Sequence, residues 1–200
     1  LRVVQRLKAD PDLNNFDLPI EVLLGFMAVE SKGKANVLRF EPHIFLGKAA
    51  RWMNINGKRG RPDLEGPMPE GVPFKRPGKV AWSLVASETN RNAFENAMRL
   101  DPIWAIYSTS FGTYQVMGFH VIDSNKRTYT GGKSPQEFYE NFKNNPELVS
   151  DEMIYFWIKK NQKWRAVITN AADPDNLDER ELKNLIKFFN GAGQVEAYYH

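Results

Sequence analysis

The chain of 200 residues contains no cysteine, which excludes disulfide bonds, thiolate metal sites and a cysteine nucleophile. Histidine is nearly as scarce, with three residues, and none of them stands in an HExxH or similar metal-binding spacing. We therefore expect neither a catalytic metal nor a cofactor. The longest apolar run, residues 22–29, is interrupted by Gly25 and is too short to span a bilayer.

The composition that remains is that of an ordinary globular protein. Hydrophobic residues make up 42% and charged residues 26%, which allows one well-buried core. The net charge of +3 suits an anionic partner such as a cell-envelope polymer or a nucleic acid. Six of the 27 Lys and Arg residues lie in residues 54–79, where five prolines and five glycines predict a long loop.

Apolar spacing predicts a mainly helical chain. A helix is predicted from Pro19 to about Ser31, with apolar residues on nearly all sides that indicate burial all round, and with Gly33 as its stop. Further helices are predicted over 1–8, 46–53, 80–100, 103–107, 135–144, 147–160 and 178–188. A small β element or an extended arm is predicted over residues 36–45.

Glu30 lies at the end of the helix predicted before Gly33. It follows Phe26 and Met27 by four and three residues, so it projects from an apolar face. Desolvation and the negative end of the helix dipole disfavour a charged carboxyl there, which predicts a pKa above the usual value of about 4.3. A glycosidase acid must carry a proton at neutral pH, so Glu30 is a candidate general acid. A side chain that turns to solvent as the helix ends fits the spacing equally well.

A second carboxyl group, Glu41, follows eleven residues later. Near Glu30 it would position a water, act as a nucleophile or stabilise positive charge on a sugar ring. A salt bridge with Arg39 or Arg51 is the alternative. His43 is a candidate proton carrier or hydrogen-bonding partner of a sugar, although a lone histidine is more often structural.

Five short motifs occur in order along the chain. They are AVESKG at 28–33, RFEPHIF at 39–45, AMRLDP at 97–102, STSFGTYQVMGF at 108–119 and FFNG at 188–191. Together they resemble the N-acetylmuramidase family of phage endolysins and bacterial lytic enzymes, whose patterns include E-S-x-G, F-E-x-H-x-F and Y-N-G. The similarity spans residues from about 18 to 198.

The resemblance implies a mainly α, lysozyme-like fold, with the small β element or extended arm after the catalytic helix. It implies an endolysin-type peptidoglycan hydrolase that cleaves the β-1,4 bond between N-acetylmuramic acid and N-acetylglucosamine. Glu30 then corresponds to the general acid, and Glu41 is the second candidate catalytic residue.

The same motifs offer candidate substrate-binding residues. Hydroxyl and amide groups suited to sugar substituents belong to Ser110, Gln115 and Asn190. Tyr114 and Phe111, the latter in place of the family's usual tryptophan, offer flat faces for sugar packing, whereas Met117 is expected beneath the groove. Gln115 serves equally well in a structural hydrogen bond, and Asn190 in a plain helix stop.

Two other functions stay open. A lytic transglycosylase would use the same Glu30 as acid and base and form a 1,6-anhydro product. A non-catalytic wall-binding or virion structural module would keep the fold without the activity. Nucleic-acid binding is not expected, because Phe74 is the one aromatic residue among the basic residues of 54–79. The expected partners are peptidoglycan glycan strands and anionic cell-envelope polymers, bound by a monomer.

The expected organisation has two parts. Residues 1–17 are expected to form a short helix or the remnant of a linker. Residues 18–200 are expected to form the catalytic domain. The first residues lack the pattern of a signal peptide. For an endolysin, these features predict synthesis in the host cytoplasm and action on the bacterial cell wall, in the periplasm, after release.

Overall fold

The structure, a computed structural model, describes residues 2–14, 16–46, 87, 89–122, 134–171, 173–174 and 176–190. Within these ranges the α-helices are α1 (Arg2–Ala9), α2 (Ile20–Ser31), α3 (Pro42–Leu46), α4 (Asn90–Leu100), α5 (Pro102–Tyr107), α6 (Pro135–Asn144), α7 (Pro146–Lys160), α8 (Gln162–Thr169) and α9 (Glu179–Asn190). Strands β1 (Leu38–Phe40), β2 (Thr109–Phe111) and β3 (Val116–Met117) form an antiparallel sheet in the order β1-β2-β3. The predicted mainly α fold with a small β element is confirmed.

Local signals set the ends of the helices that bear on the site. Helix α2 stops where Lys32 and Gly33 adopt left-handed backbone, with φ of 54° and 75°. The Gly33 N–H donates to the Met27 carbonyl at 3.1 Å, which satisfies one of the last carbonyls of the helix. Helix α5 begins between the two helices predicted over 80–100 and 103–107, where the Asp101 carboxylate accepts from the Trp104 N–H at 3.0 Å.

Other elements differ from the prediction. The segment 36–45 forms the short strand β1 and then helix α3, because Pro42 suits the first turn of a helix. Strand β1 pairs with β2, far along the chain, rather than with a neighbouring strand. Helix α4 begins at Asn90, after its cap Thr89. The predicted helix over 46–53 and the basic loop lie outside the described residues, except that Leu46 ends α3. Helix α8 was not predicted.

Helix α2 is not buried on nearly all sides, so that prediction is wrong. Leu23 and Phe26 face the core, whereas Leu24 is 46% and Val29 is 51% exposed. The apolar residues of α2 occupy more than one face, and the core covers only one of them.

The N-terminal segment shares the core with the rest of the chain. Helix α1 packs against α7 and buries Val3 and Leu7. Asp10, just after α1, accepts a hydrogen bond from Tyr155 and pairs with Lys159 at 2.9 Å. The described part of residues 1–17 is therefore a packed helix followed by a short connection.

Candidate active site

A groove of about 650 Å³ opens beside the sheet and the end of α2. Its lining comes from Glu30, Val37, Arg39, Glu41, Ser110, Gln115, Val116, Met117, Phe119, His120, Trp157 and Phe189. The two predicted carboxyl groups and two of the predicted binding residues therefore meet in one cavity. They come from segments up to about 85 positions apart in the chain, and the sheet brings them together.

One face of the sheet forms part of the groove lining. Arg39 on β1 lies opposite Ser110 on β2, and Ser110 lies opposite Met117 on β3. Directly opposed residues of antiparallel strands point to the same face. The three side chains thus form one row along the groove. Met117 was expected in the core beneath the groove, and this expectation is wrong because it lines the cavity itself.

Glu30 reaches the groove from the last turn of α2. The next residue, Ser31, is buried, and its hydroxyl donates to the Thr113 carbonyl at 2.8 Å, which fixes the helix end against the turn between β2 and β3. The Oε1 atom of Glu30 is buried. The side chain therefore does not turn away into bulk solvent. The raised pKa expected for this carboxyl stays a prediction.

Glu41 lies in the same groove and is paired with a cation. Its Oε1 atom is 2.9 Å from Arg39 Nε, with the side chains 21% and 71% exposed. The Glu41 N–H donates to the Ser108 carbonyl at 2.8 Å, which holds the residue at the end of β1. The salt bridge considered from the sequence is present with Arg39, whereas Arg51 lies outside the described residues.

Gln115 lines the groove, but its amide is used within the protein. Its Nε2 donates to the carbonyls of Gly112 at 2.8 Å and Val37 at 3.3 Å. Its Oε1 accepts from the Ser110 hydroxyl at 2.9 Å. Both amide hydrogens are therefore engaged, and the structural alternative considered from the sequence fits the geometry. Gln115 and Ser110 together brace the turn that faces the catalytic candidates.

Two predicted sugar-packing residues belong to the core instead. Tyr114 is 1% and Phe111 is 0% exposed. The Phe111 ring packs edge-on against Phe94 at 5.6 Å and Phe138 at 5.2 Å. Burial also raises the pKa of the Tyr114 hydroxyl, with a further contribution from the charge of Asp151. The prediction that these two rings pack against sugars is wrong, because they fill the space between the sheet and the helices.

The structure does not describe the side chains of two predicted substrate-binding residues. His43 belongs to α3 and Asn190 is the last residue of α9, but their side chains lie outside the described residues. Their binding roles stay predictions.

The groove also holds aromatic residues that no motif or spacing in the sequence marks as functional. We call Phe119, His120, Trp157 and Phe189 the aromatic wall. In the sequence His120 belongs to no metal-binding spacing, and Trp157 is one more apolar residue of α7. The sequence feature that could have marked this segment is Gly118, which comes just before Phe119 and His120. A Cβ at residue 118 would lie 1.9 Å from the Ile106 carbonyl oxygen. Only glycine permits this contact, which holds residues 118–120 against α5.

His120 has an unusual environment for a histidine. Burial, together with the nearby positive charge of Lys160, lowers the pKa of the imidazole to about 4. The ring is therefore neutral at physiological pH, with one nitrogen a donor and the other an acceptor.

Neither a metal site nor a membrane span is evident where the chain is described. In those ranges no group of three or more His, Asp or Glu side chains is placed to hold a metal ion. The helices of the same ranges are all too short or too polar to cross a bilayer.

Comparison with known families identifies the chain. A family model described as N-acetylmuramidase matches residues 19–200, which include every residue of the groove. Comparisons with curated proteins and with solved structures gave no match. The mainly helical architecture with a small antiparallel sheet fits the lysozyme-like fold that the motifs implied. The chain belongs to the N-acetylmuramidase family, glycoside hydrolases that act on bacterial peptidoglycan.

Proposed function

We propose that the chain hydrolyses the β-1,4 bond between N-acetylmuramic acid and N-acetylglucosamine, with Glu30 as the general acid. The position of Glu30 carries this proposal: it lies in the last turn of α2, with one oxygen buried, in the groove that also holds Glu41. Partial burial and the negative end of a helix both favour the protonated carboxyl. That form can protonate the leaving glycosidic oxygen.

The second carboxyl group supplies negative charge. As the glycosidic C–O bond breaks, Glu30 gives its proton to the leaving oxygen and positive charge develops on the sugar ring. Glu41 lies in the same groove, 2.9 Å from Arg39, and is placed to stabilise that charge or to orient the water that adds to the anomeric carbon. Its presence in the groove favours hydrolysis over transglycosylation.

The decisive variant is Glu30→Gln, which keeps the shape of the side chain but cannot donate a proton to the leaving group. Clearing of a suspension of purified sacculi should slow by about 10²- to 10⁴-fold, the usual contribution of a general acid. Glu140→Gln is the matched control, because Glu140 is an exposed residue of α6 outside the groove, and it should clear sacculi at the parental rate. Full activity of Glu30→Gln would overturn the assignment.

Product masses separate the two enzymatic alternatives. Hydrolysis adds a water to each cleaved bond, whereas a lytic transglycosylase releases 1,6-anhydro products that are lighter by one water. Mass spectrometry of digested sacculi therefore decides between them. A parent protein that binds sacculi but releases no fragments would instead indicate a non-catalytic wall-binding or virion structural module.

For the cellular role we propose an endolysin-type enzyme that is made in a host cytoplasm and reaches the wall after release. The basic segment 54–79, which lies outside the described residues, is proposed to attract anionic envelope polymers, with the protein acting as a monomer. Cytoplasmic expression in bacteria tests the order of events. Lysis should begin only when the inner membrane is permeabilised, and lysis without permeabilisation would contradict this role.

A further inference from the structure

The aromatic wall is a continuous row of rings from three separate segments. Phe119 and His120 have ring centroids 4.2 Å apart, His120 and Trp157 6.3 Å, and Trp157 and Phe189 4.7 Å. All four residues line the groove that holds Glu30. Phe119 is 37% exposed, which is high for a large apolar side chain, and so it offers a ring face or edge to an occupant.

His120 contributes polar atoms to this otherwise apolar wall. Its backbone carbonyl accepts from Lys160 Nζ at 3.5 Å. Among the described residues, no hydrogen bond involves either imidazole nitrogen. Polar groups in such partly buried places usually have a partner in protein or solvent. Because the residue lines the groove, that partner is expected to lie in the groove.

We propose that His120 is a substrate-binding residue, whose imidazole forms a hydrogen bond with a hydroxyl or acetamido group of a sugar that packs against Phe119. This inference rests on the proposed function, because it takes the glycan strand as the occupant of the groove. A sugar ring has apolar C–H faces and polar edges. A wall that combines an exposed aromatic ring with a neutral hydrogen-bonding ring matches both features.

A proton-transfer role for His120 fits less well. With a pKa of about 4, its imidazolium form is rare at neutral pH, and the neutral ring is a weak base. A purely structural role does not explain the two nitrogens of the His120 ring, because a phenyl ring would pack equally well between Phe119 and Trp157. Hydrogen bonding to the glycan uses both the location and the chemistry of the side chain.

Two substitutions of His120 separate packing from hydrogen bonding. His120→Phe keeps a flat ring but removes both nitrogens, whereas His120→Gln removes the ring but keeps a donor and an acceptor. Both are made in the Glu30→Gln background, so that binding is measured without cleavage. The probe is peptide-free glycan strands, prepared from sacculi with an amidase, and the measurement is isothermal titration calorimetry.

The expected outcome is a split between the two variants. His120→Phe should weaken glycan binding about tenfold, the scale of one lost hydrogen bond, and His120→Gln should stay within about threefold of the parent. In the otherwise unmodified enzyme, His120→Phe should raise KM with little change in kcat, as expected for a binding interaction. Equal affinity of His120→Phe and the parent would overturn the proposal, as would equal weakening by both variants.

A second measurement does not depend on how well the variants fold. The chain has three histidines, so the imidazole nitrogen resonances of His120 can be assigned by nuclear magnetic resonance in the Glu30→Gln protein. Added glycan strands should shift these resonances, and saturating glycan without a shift would refute the contact. An active Glu30→Gln protein would refute the proposed function, whereas a shift of the His120 resonances on addition of glycan strands would even then support the contact between His120 and the sugar.

Discussion

Two carboxyl groups with different surroundings share the groove. Glu30 has a buried oxygen at the negative end of a helix, whereas Glu41 is paired with the guanidinium of Arg39. A glycosidase site needs one carboxyl group that acts as an acid and a second that acts as a carboxylate. In the proposed mechanism Glu30 supplies the proton and Glu41 the negative charge.

The role of Glu41 is tested by Glu41→Gln, which removes the charge but keeps the shape. We expect kcat on sacculi to fall by about 10²-fold, as when one electrostatic contact to the transition state is lost. The loss should be smaller than for Glu30→Gln, since protonation of the leaving group would remain. Arg39→Gln serves as the comparison, because it leaves the carboxylate in place and should cost less. An unchanged kcat for Glu41→Gln would show that its charge takes no part in the reaction.

At the scale of elements, one turn connects the helix that carries Glu30 to the helix that carries Trp157. The Thr113 carbonyl accepts from Ser31 at the end of α2, and the Thr113 N–H donates to Ser150 of α7, both at 2.8 Å. Gly112 has a φ of +76°, and a Cβ there would lie 2.5 Å from the Ser150 hydroxyl. The turn therefore packs tightly against α7 and fixes the end of the helix that carries Glu30.

Ser31→Ala should loosen this connection. The loss of one buried hydrogen bond should lower the free energy of unfolding by about 1 kcal/mol, measured by urea denaturation. Because Glu30 is the adjacent residue, small displacements of its carboxyl should also lower kcat by about tenfold to 10²-fold.

Ser134→Ala is the matched control for Ser31→Ala. It removes the N-cap of α6, which does not line the groove, at a similar cost of about 1 kcal/mol. Its kcat should be that of the parent. Equal kcat values for the two variants would contradict the positioning role of Ser31.

At the scale of the whole molecule, α1 is joined to α7 by an ionic cluster as well as by apolar packing. Asp10 is 7% exposed, accepts from the Tyr155 hydroxyl and pairs with Lys159, which also contacts Asp12 at 2.7 Å. The hydrogen bond from Tyr155 and then that from Lys159 lower the pKa of Asp10 to about 2. The N-terminal helix therefore contributes to stability in a pH-dependent way.

Asp10→Asn should lower the free energy of unfolding most at neutral pH. Because the pKa of Asp10 is lower in the folded protein, its carboxylate contributes its full stabilisation at pH values above the ordinary pKa of 3.8. This contribution is lost as the pH falls towards about 2. Denaturant unfolding at a series of pH values should therefore show the gap between parent and variant narrowing below pH 3.8.

Asp17→Asn is the control for the pH dependence of the Asp10→Asn variant. Asp17 pairs with Lys8 at the surface, where the two side chains are 64% and 59% exposed. Its stability should stay within about 0.5 kcal/mol of the parent at every pH. A gap for Asp10→Asn that remains constant down to about pH 2 would show that the Asp10 carboxylate is not the stabilising species.

Local rules explain which parts of the fold were predictable. The stop of α2 at Gly33 and the start of α5 after Asp101 depend on backbone conformation and capping within a few residues, so the sequence indicates them directly. Strand β1 and helix α3 were harder to assign, because the apolar residues of 36–45 satisfy a strand and a helix alike. The long-range pairing with β2 decided between them.

The sequence by itself determined the mainly helical fold, the family and the place of Glu30 at a helix end, because short-range spacing and capping encode these features. Only the tertiary structure decided which side chains reach the groove. It buried Tyr114 and brought His120 to the groove. The physical reason is that the residues that pack around a side chain come from distant parts of the chain. Local spacing alone does not determine which face of a helix or strand they cover.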